Sequence, residues 1–420
     1  MVYVLNQNGQ PLMPTENHRM VRLLVKNNKA KVVRRTPFTI QLLVKTKEYV
    51  EPITLGVDAG SKEVGISAST ETKQYFKAEM YPRNDVVNNL STRREFRKAR
   101  RNRKTRYRAP RFDNRVHSKH KGWLAPSVEV KIQEHITTIK LVCKILPISK
   151  VVVETAEFDL QLIKAVEAGL PVPKGEDYQK GEQLGFYNVR QYVFHRDGYQ
   201  CQCCGAHGDG VKFETHHLES RKTGGNSPDN LVTLCSHCHE LVTNGVITKF
   251  SKRKRKSTRD AAFMGIMRKT LIERLRKELI VPVFETKGYI TKYVREAHKL
   301  PKLHTIDALC IAGHPKAKQF DYMYLIRPVR NHNRQLHRAT ILKGGVRKSN
   351  QAATYVKGFR LFDKVKYKNK ECFIWGRRTS GSMKLQTLDG NYVKDGVGYK
   401  HLTLLERSKN YLIERSGRAA

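Results

Sequence analysis

The chain has 420 residues, 39% of them hydrophobic, which suits two to four globular domains and argues against a wholly disordered polymer. Lysine and arginine total 80 against 38 acidic residues, a formal charge of +42 that calls for a polyanionic partner, although a ribosomal-type structural protein or a merely basic surface would satisfy the charge equally. No apolar run reaches the roughly 18 residues of a membrane span. Met1–Gln7 has neither the charged nor the apolar region of a signal peptide, so the expected location is the cytoplasm.

Residues 1–50 read as a small unit: a strand at Val2–Leu5, a turn at Asn8-Gly9, the run Pro11-Leu12-Met13-Pro14, a helix from His18 to about Lys26, and strands at Lys31–Val33 and Phe38–Val44. Three strands joined by tight turns follow, Ile53–Val57, Val64–Ser69 and Gln74–Met80. Residues 93–111 then change character, with eleven of nineteen being Arg or Lys and Glu95 the one acid. Proline and glycine are absent before Pro110, so this is either a helix stabilised by phosphates on several sides or a disordered basic arm, and the helix is preferred. It has no apolar stripe with which to pack as an ordinary helix.

A periodic helix is predicted over Ser127–Leu146, and a buried strand over Lys150–Glu154. Residues 161–185 read as a linker, Phe186–Gly245 as a cysteine-rich module, and Ser251–Arg259 as a second basic linker. Then come a helix at Arg259–Leu279, a strand at Ile280–Glu285, and helices at Tyr289–His298 and Leu303–Gly313. Beyond Tyr322 the chain is basic with short β-like runs at Gly358–Lys366, Cys372–Trp375 and Lys384–Leu388, suggesting a small barrel or an open sheet. No internal repeat is visible.

Three acidic motifs stand apart in this order. Asp58 sits where the apolar run Leu55-Gly56-Val57 meets Ala59-Gly60. Glu154 ends Val151-Val152-Val153, where an acid at the tip of a buried strand is badly solvated unless it binds something. His304 and Asp307 lie three apart and share one helix face. Gathered in one cleft, these oxygens are hard ligands suited to Mg²⁺ and to phosphodiester hydrolysis by a metal pair. Each motif alone is commonplace in a turn, at a strand end or on a helix surface; their order is what is specific.

Five of the eight cysteines lie between Cys201 and Cys238, and in a chain with no export signal that clustering points to metal rather than disulfides. Cys201-x-x-Cys204 and Cys235-x-x-Cys238 are paired knuckles with the spacing of a closed, structural tetrahedral zinc site. Cys203 lies inside the first knuckle. His237 and His239 are ambiguous by spacing, since histidines beside such knuckles often serve as spare zinc ligands. The acidic motifs, in their order and with a basic segment after the first, resemble the three split segments of RuvC-type nucleases. The double histidine Glu214-Thr215-His216-His217-Leu218, then Gly224-Gly225-Asn226, the run Asp229–Cys235 and Cys238-His239, with Arg196-Asp197-Gly198-Tyr199 before the first knuckle, resemble the HNH ββα-metal nuclease motif. The combination, with the Pro-Leu-Met-Pro unit, resembles the transposon-associated IscB family over residues 1 to about 315.

The resemblance implies an α/β multidomain fold. The expected order is a Pro-Leu-Met-Pro unit at 1–50, a first RuvC segment at 51–83 and an arginine-rich bridge helix at 84–112. A second RuvC segment at 113–160, a linker at 161–185, an inserted HNH domain at 186–247 and a linker at 248–258 follow. A third RuvC segment at 259–320 and a β-rich basic region at 321–420 complete it. It implies that Asp58, Glu154 and Asp307 hold two Mg²⁺ ions and that His304 serves as base; Ala59 stands where relatives usually have proline. It implies that His217 activates water, His216 and His239 hold a third Mg²⁺, and Asn230 orients the hairpin, with Mn²⁺ as a substitute metal. Arg93, Arg94, Arg97, Arg100, Arg101, Arg103, Arg106 and Arg108 are expected to grip a guide (omega) RNA, and Arg327, Arg330, Arg334 and Arg338 are candidates for scaffold or flanking-DNA contacts. The implied protein is a monomer in a ribonucleoprotein that cuts double-stranded DNA. Two other readings are a guide-independent endonuclease of homing or junction-resolving type and a non-catalytic nucleic-acid-binding protein.

Overall fold

The computed structural model describes residues 1–101, 122–155, 186–219, 228–248, 259–330 and 353–417. The chain divides into two compact units, Met1–Glu157 with Met267–Ala420, and Phe158–Ile266. The fold is mixed α/β.

The first unit begins with β1 (Val2–Leu5), β2 (Pro11–Thr15), α1 (His18–Lys26), β3 (Ala30–Arg34) and β4 (Thr39–Leu42), in a sheet of order β2-β1-β4-β3. The Pro-Leu-Met-Pro run is thus an edge strand, where a missing N–H breaks no ladder on the open side. Asn17 caps α1 by accepting the Met20 N–H at 2.9 Å. The Tyr3 hydroxyl donates to the Tyr75 carbonyl at 2.9 Å, tying this sheet to the next.

Then come β5 (Ile53–Asp58), β6 (Val64–Ser69), β7 (Gln74–Met80), α2 (Val86–Arg101), α3 (Pro126–Cys143) and β8 (Ile148–Thr155). The basic segment is therefore helical through Arg101; the rest of the predicted bridge helix, Arg103, Arg106 and Arg108 included, lies outside the described residues, as do the linkers at 161–185 and 251–258. The second unit contains α4 (Val189–Arg196), β9 (Phe213–His217), β10 (Leu231–Cys235) and α5 (Ser236–Thr243). A long helix, α6 (Arg259–Glu278), leads back to β11 (Val283–Lys287), α7 (Gly288–Ala297), α8 (His304–Ile311) and β12 (Met323–Pro328). The strand predicted from Ile280 starts instead at Val283, directly after Pro282, which has no N–H to give to a ladder; Ile280 itself is fully exposed. The remainder is β13 (Lys364–Tyr367), β14 (Lys370–Arg377), β15 (Ser382–Gln386), β16 (Tyr392–Gly398), β17 (Thr403–Glu406) and β18 (Tyr411–Ser416).

The central sheet has the order β11-β8-β5-β6-β7-β12-β18. Strands β11, β8 and β5 run parallel, while β5, β6 and β7 form an antiparallel meander. Every position of β5 from Ile53 to Val57 is buried, as expected of a strand covered on both faces. Residues 321–420, expected as one region, divide: β12 and β18 pair with each other and extend the central sheet beyond β7, while β13 to β17 form an antiparallel sheet of order β16-β15-β14-β13-β17. Among the described residues β16 and β17 are its two edges.

Helix α8 lies against β5 and β6 because two glycines leave it room. A Cβ on Gly56 would fall 2.0 Å from the Ala308 carbonyl oxygen, and one on Gly65 would fall 1.9 Å from that of His304. On α3, Glu134 is buried and accepts the Arg83 N–H at 2.9 Å. Burial, aided by the charge of Asp85, pushes its carboxyl up to about 7 against the pull of Arg83 and Lys131.

Two outcomes follow. Gly65→Ala should displace the start of α8 and cost about 3 kcal/mol or more in urea unfolding, with the loss of any metal binding that depends on His304 and Asp307. Glu134 binds a proton more tightly folded than unfolded, so it loses stability as pH rises from about 4.5 through about 7. Glu134→Gln should remove that slope and be the more stable protein above pH 7, by at most about 3 kcal/mol, in thermal unfolding followed across pH.

Candidate active sites and a candidate zinc site

The acidic motifs converge in the first unit. Strands β5 and β8 pair in register so that Asp58 stands opposite Glu154. Helix α8, seated on the glycines of β5 and β6, brings His304 and Asp307 to the same end. The His304 Nδ1 lies 2.6 Å from Asp58 Oδ2, and its Nε2 lies 3.2 Å from Glu63 Oε2. The hydrogen bond to Asp58 raises His304 to about 9, with burial opposing and the charges of Asp58, Glu63 and Glu79 adding. The raised value favours the imidazolium form, which would donate to Asp58.

Glu154 is raised by burial; the Thr291 hydrogen bond opposes, and the charges of Asp58 and Asp307 add. The three carboxylates thus lie in one another's field, and hard oxygen donors are of the type that suits Mg²⁺ or Mn²⁺. The three acids stand wider apart than the 4.8 Å mutual spacing that the cysteines below satisfy. Two contacts had no sequence signal. The Thr291 hydroxyl donates to Glu154 Oε2 at 2.5 Å, and the Arg295 guanidinium donates to Asp307 Oδ1 at 2.5 Å. Their spacing of four on a predicted helix marks a shared face, but nothing in it names the acids they reach.

The second unit is built on the cysteines. The sulfur atoms of Cys201, Cys204, Cys235 and Cys238 all lie within 4.8 Å of one another, and among the described residues they are the one such group of metal-ligating type. Cys201 is raised by burial but brought down to about 7 by the backbone N–H groups aimed at it; Cys235 and Cys238 are raised by burial first. Four crowded thiols that repel as thiolates fit a soft divalent cation, and zinc would close the knuckles onto each other. Cys203 packs with the same small core instead.

Strands β9 and β10 are antiparallel, with His217 opposite Leu231 and His216 opposite Val232, and α5 follows directly. The buried Asp197 accepts the Thr233 N–H at 2.9 Å, and Arg196 donates to the Pro228 and Leu231 carbonyls at 2.7 and 2.9 Å, which pins β10 to α4. Neighbouring strand residues alternate faces, so His216 and His217 point apart. His216 meets His239 of α5 with ring centroids 5.3 Å apart. Burial, then the charges of His239 and His217, lower His216, which favours its neutral form. Glu214, two residues before His216, lies 3.3 Å from His239 Nδ1. Asn230 is fully buried; its side chain accepts the Glu219 N–H at 2.8 Å and donates to the Glu219 carbonyl at 3.1 Å, clamping the chain just after His217.

Residues 201–245 match the HNH endonuclease family model. The chain carries an HNH endonuclease domain. Residues 2–181 match the RRXRR protein family model. No curated protein matches. Among solved structures, Streptococcus thermophilus Cas9 with the AGAA PAM is similar at 13% identity, 45% of this chain, 26% of that one and a TM-score of 0.29. The same protein with the GGAA PAM gives 14%, 50%, 29% and 0.32, and the Type II-C Cas9 of Actinomyces naeslundii gives 15%, 47%, 30% and 0.15. The chain thus spans less than a third of those proteins, and overlaps with such scores are local.

Of the predicted nucleic-acid contacts, Arg93 and Arg94 are exposed on α2 and Arg97 is half-buried; the side chains of Arg100 and Arg101 lie outside the described residues. Arg327 lies 5.4 Å from the Tyr81 ring on the central sheet, Arg330 follows β12, and Arg334 and Arg338 lie outside the described residues. No described helix is long and apolar enough to cross a membrane.

The zinc site makes a direct prediction. Metal analysis of the purified protein should find one zinc, and Cys238→Ser should lose it. Amide protection of 228–248 should collapse in that variant while protection of β5 and β8 stays.

Proposed function

We propose that the protein is an RNA-guided DNA endonuclease with two metal-dependent active sites. The HNH site cuts the guide-paired strand, and an RNase H-like RuvC site cuts the displaced strand. The single observation that carries this reading is that one strongly basic chain holds two separate constellations of nuclease type. One is the HNH hairpin and helix in the second unit; the other is the Asp58, Glu154, Asp307 and His304 cluster on a mixed sheet in the first.

Divalent ions held by the carboxylates of the first site, and by His216 and His239 in the second, would neutralise charge developing on the phosphate. His217 receives the proton of the water that attacks phosphorus, while the P–O bond to the leaving strand breaks. Asn230 sets the backbone that follows His217 and so its orientation. The order β7-β6-β5-β8-β11 within the central sheet supports the RNase H-like reading, since it places the Asp58 and Glu154 strands side by side. The charge of +42 supports a polyanionic partner resident on the protein, and the exposed face of α2 with Arg93 and Arg94 is where a guide RNA backbone is gripped. Target sequence is then read by base pairing, and a short flanking motif by the protein.

Supercoiled plasmid tests this. Protein charged with its RNA and Mg²⁺ should linearise a matched target, and EDTA should abolish cutting. Asp58→Ala and His217→Ala should each leave a nick, on opposite strands, with the affected strand slowed by about 10²–10⁴-fold. The double variant should bind without cutting. Linearisation by either single variant, or RNA-independent cutting, refutes the assignment.

A further inference from the structure

Helix α7 contributes none of the acids or histidines of either site, yet two of its side chains end on the carboxylate cluster. It begins directly after β11, the strand that pairs with β8 and sets Thr286 opposite Glu154. Thr291 is buried, and its hydroxyl donates to Glu154 Oε2 at 2.5 Å. Gly288, at the start of the helix, lies beneath the other oxygen: a Cβ there would sit 3.0 Å from Glu154 Oε1. The two oxygens of Glu154 are therefore unlike, one held by a hydroxyl and the other lying over a position with no side chain. One turn further on, Arg295 is buried and donates to Asp307 Oδ1 at 2.5 Å. The rest of the helix turns away, with Tyr289, Lys292, Tyr293 and Glu296 all exposed.

We infer that α7 is the positioning element of the carboxylate site, with Thr291 over Gly288 fixing the orientation of Glu154 and Arg295 fixing that of Asp307, so that one oxygen of each is presented to a divalent cation. This rests on the reading of Asp58, Glu154 and Asp307 as metal ligands. A glutamate loses considerable rotamer freedom on binding a metal, and a partner that has already ordered it removes that cost. Partners of this kind, one step behind a ligand, typically change metal affinity by 10–100-fold. Thr291 could otherwise be no more than a buried hydroxyl satisfied by the nearest acceptor. In that case its removal would lower stability and leave metal affinity alone.

The experiment uses the full chain carrying His217→Ala, so that residual nicking reports the carboxylate site. Mn²⁺ binding is measured by electron paramagnetic resonance, and the part lost in Asp58→Ala is assigned to this site. Thr291→Val, which keeps volume and removes the hydroxyl, should weaken that part by about 10–100-fold. Thr291→Ser should restore it to within a few-fold, and raising Mn²⁺ should recover the nicking rate of Thr291→Val. The melting temperature of each variant separates positioning from folding, and Arg295→Lys, which keeps charge but loses the planar fork, should give an intermediate loss should Thr291→Val fail to fold. Unchanged Mn²⁺ affinity in Thr291→Val, or a serine variant as weak as the valine one, overturns the inference. If the parent shows no Asp58-dependent Mn²⁺ binding at all, the metal-site reading itself falls, a result distinct from failure of the positioning role.

Discussion

The closest constraint in the first unit is the contact between α8 and the central sheet. An ordinary helix stands about 10 Å from a sheet on a layer of side chains. Here the backbone carbonyls of His304 and Ala308 reach positions where a Cβ on Gly65 or Gly56 would be 1.9 or 2.0 Å away. The absence of those two Cβ atoms sets where α8 sits, and α8 sets His304 and Asp307 relative to Asp58. Asp58 is in turn tied to Glu154 by strand pairing, so four side chains from three distant segments depend on two glycines. Gly56 lies two residues before Asp58 on the same strand, which couples the seat of the helix to the acid it must meet.

Electrostatics gives the cluster its second requirement. Carboxylates gathered near the ends of β5 and β8 repel, and the structure answers with a partner for each: His304 for Asp58, Thr291 for Glu154 and Arg295 for Asp307. Each acid keeps a second oxygen that these bonds do not use. The same logic governs the cysteines, where mutual repulsion of thiolates makes the cluster costly without a cation.

How much of this was legible in the sequence follows the range of the interactions. The knuckles, the hairpin that ends on Cys235 and the strands Val64–Ser69 and Gln74–Met80 are set by spacing of a few residues, and they stand where predicted. The neighbouring of Asp58 and Glu154 was not legible from local pattern, because it comes from parallel pairing across nearly a hundred residues. Strands β12 and β18 were hidden for the same reason, since each is short and its partner lies far along the chain. Pro282 shows the opposite case: a local rule, the missing N–H of proline, would have moved the start of β11 to Val283 had it been applied. Thr291, Gly288 and Arg295 are common residues on an amphipathic helix, and only their partners give them meaning.

The topology also says how the unit carrying the HNH domain can be inserted into the chain of the first. Strands β8 and β11 are parallel neighbours, and a parallel pair needs a long crossover between them. In this chain the crossover contains the whole of Phe158–Ile266 as well as α6. An insertion there breaks no ladder bond, because β8 and β11 pair over Val151–Thr155 and Val283–Lys287 whatever lies between. The chain leaves the sheet one residue after Glu154 and, once back, reaches Thr291 within a few residues of β11. The segment that departs and the segment that returns therefore carry, respectively, a candidate metal ligand and the hydroxyl that holds it.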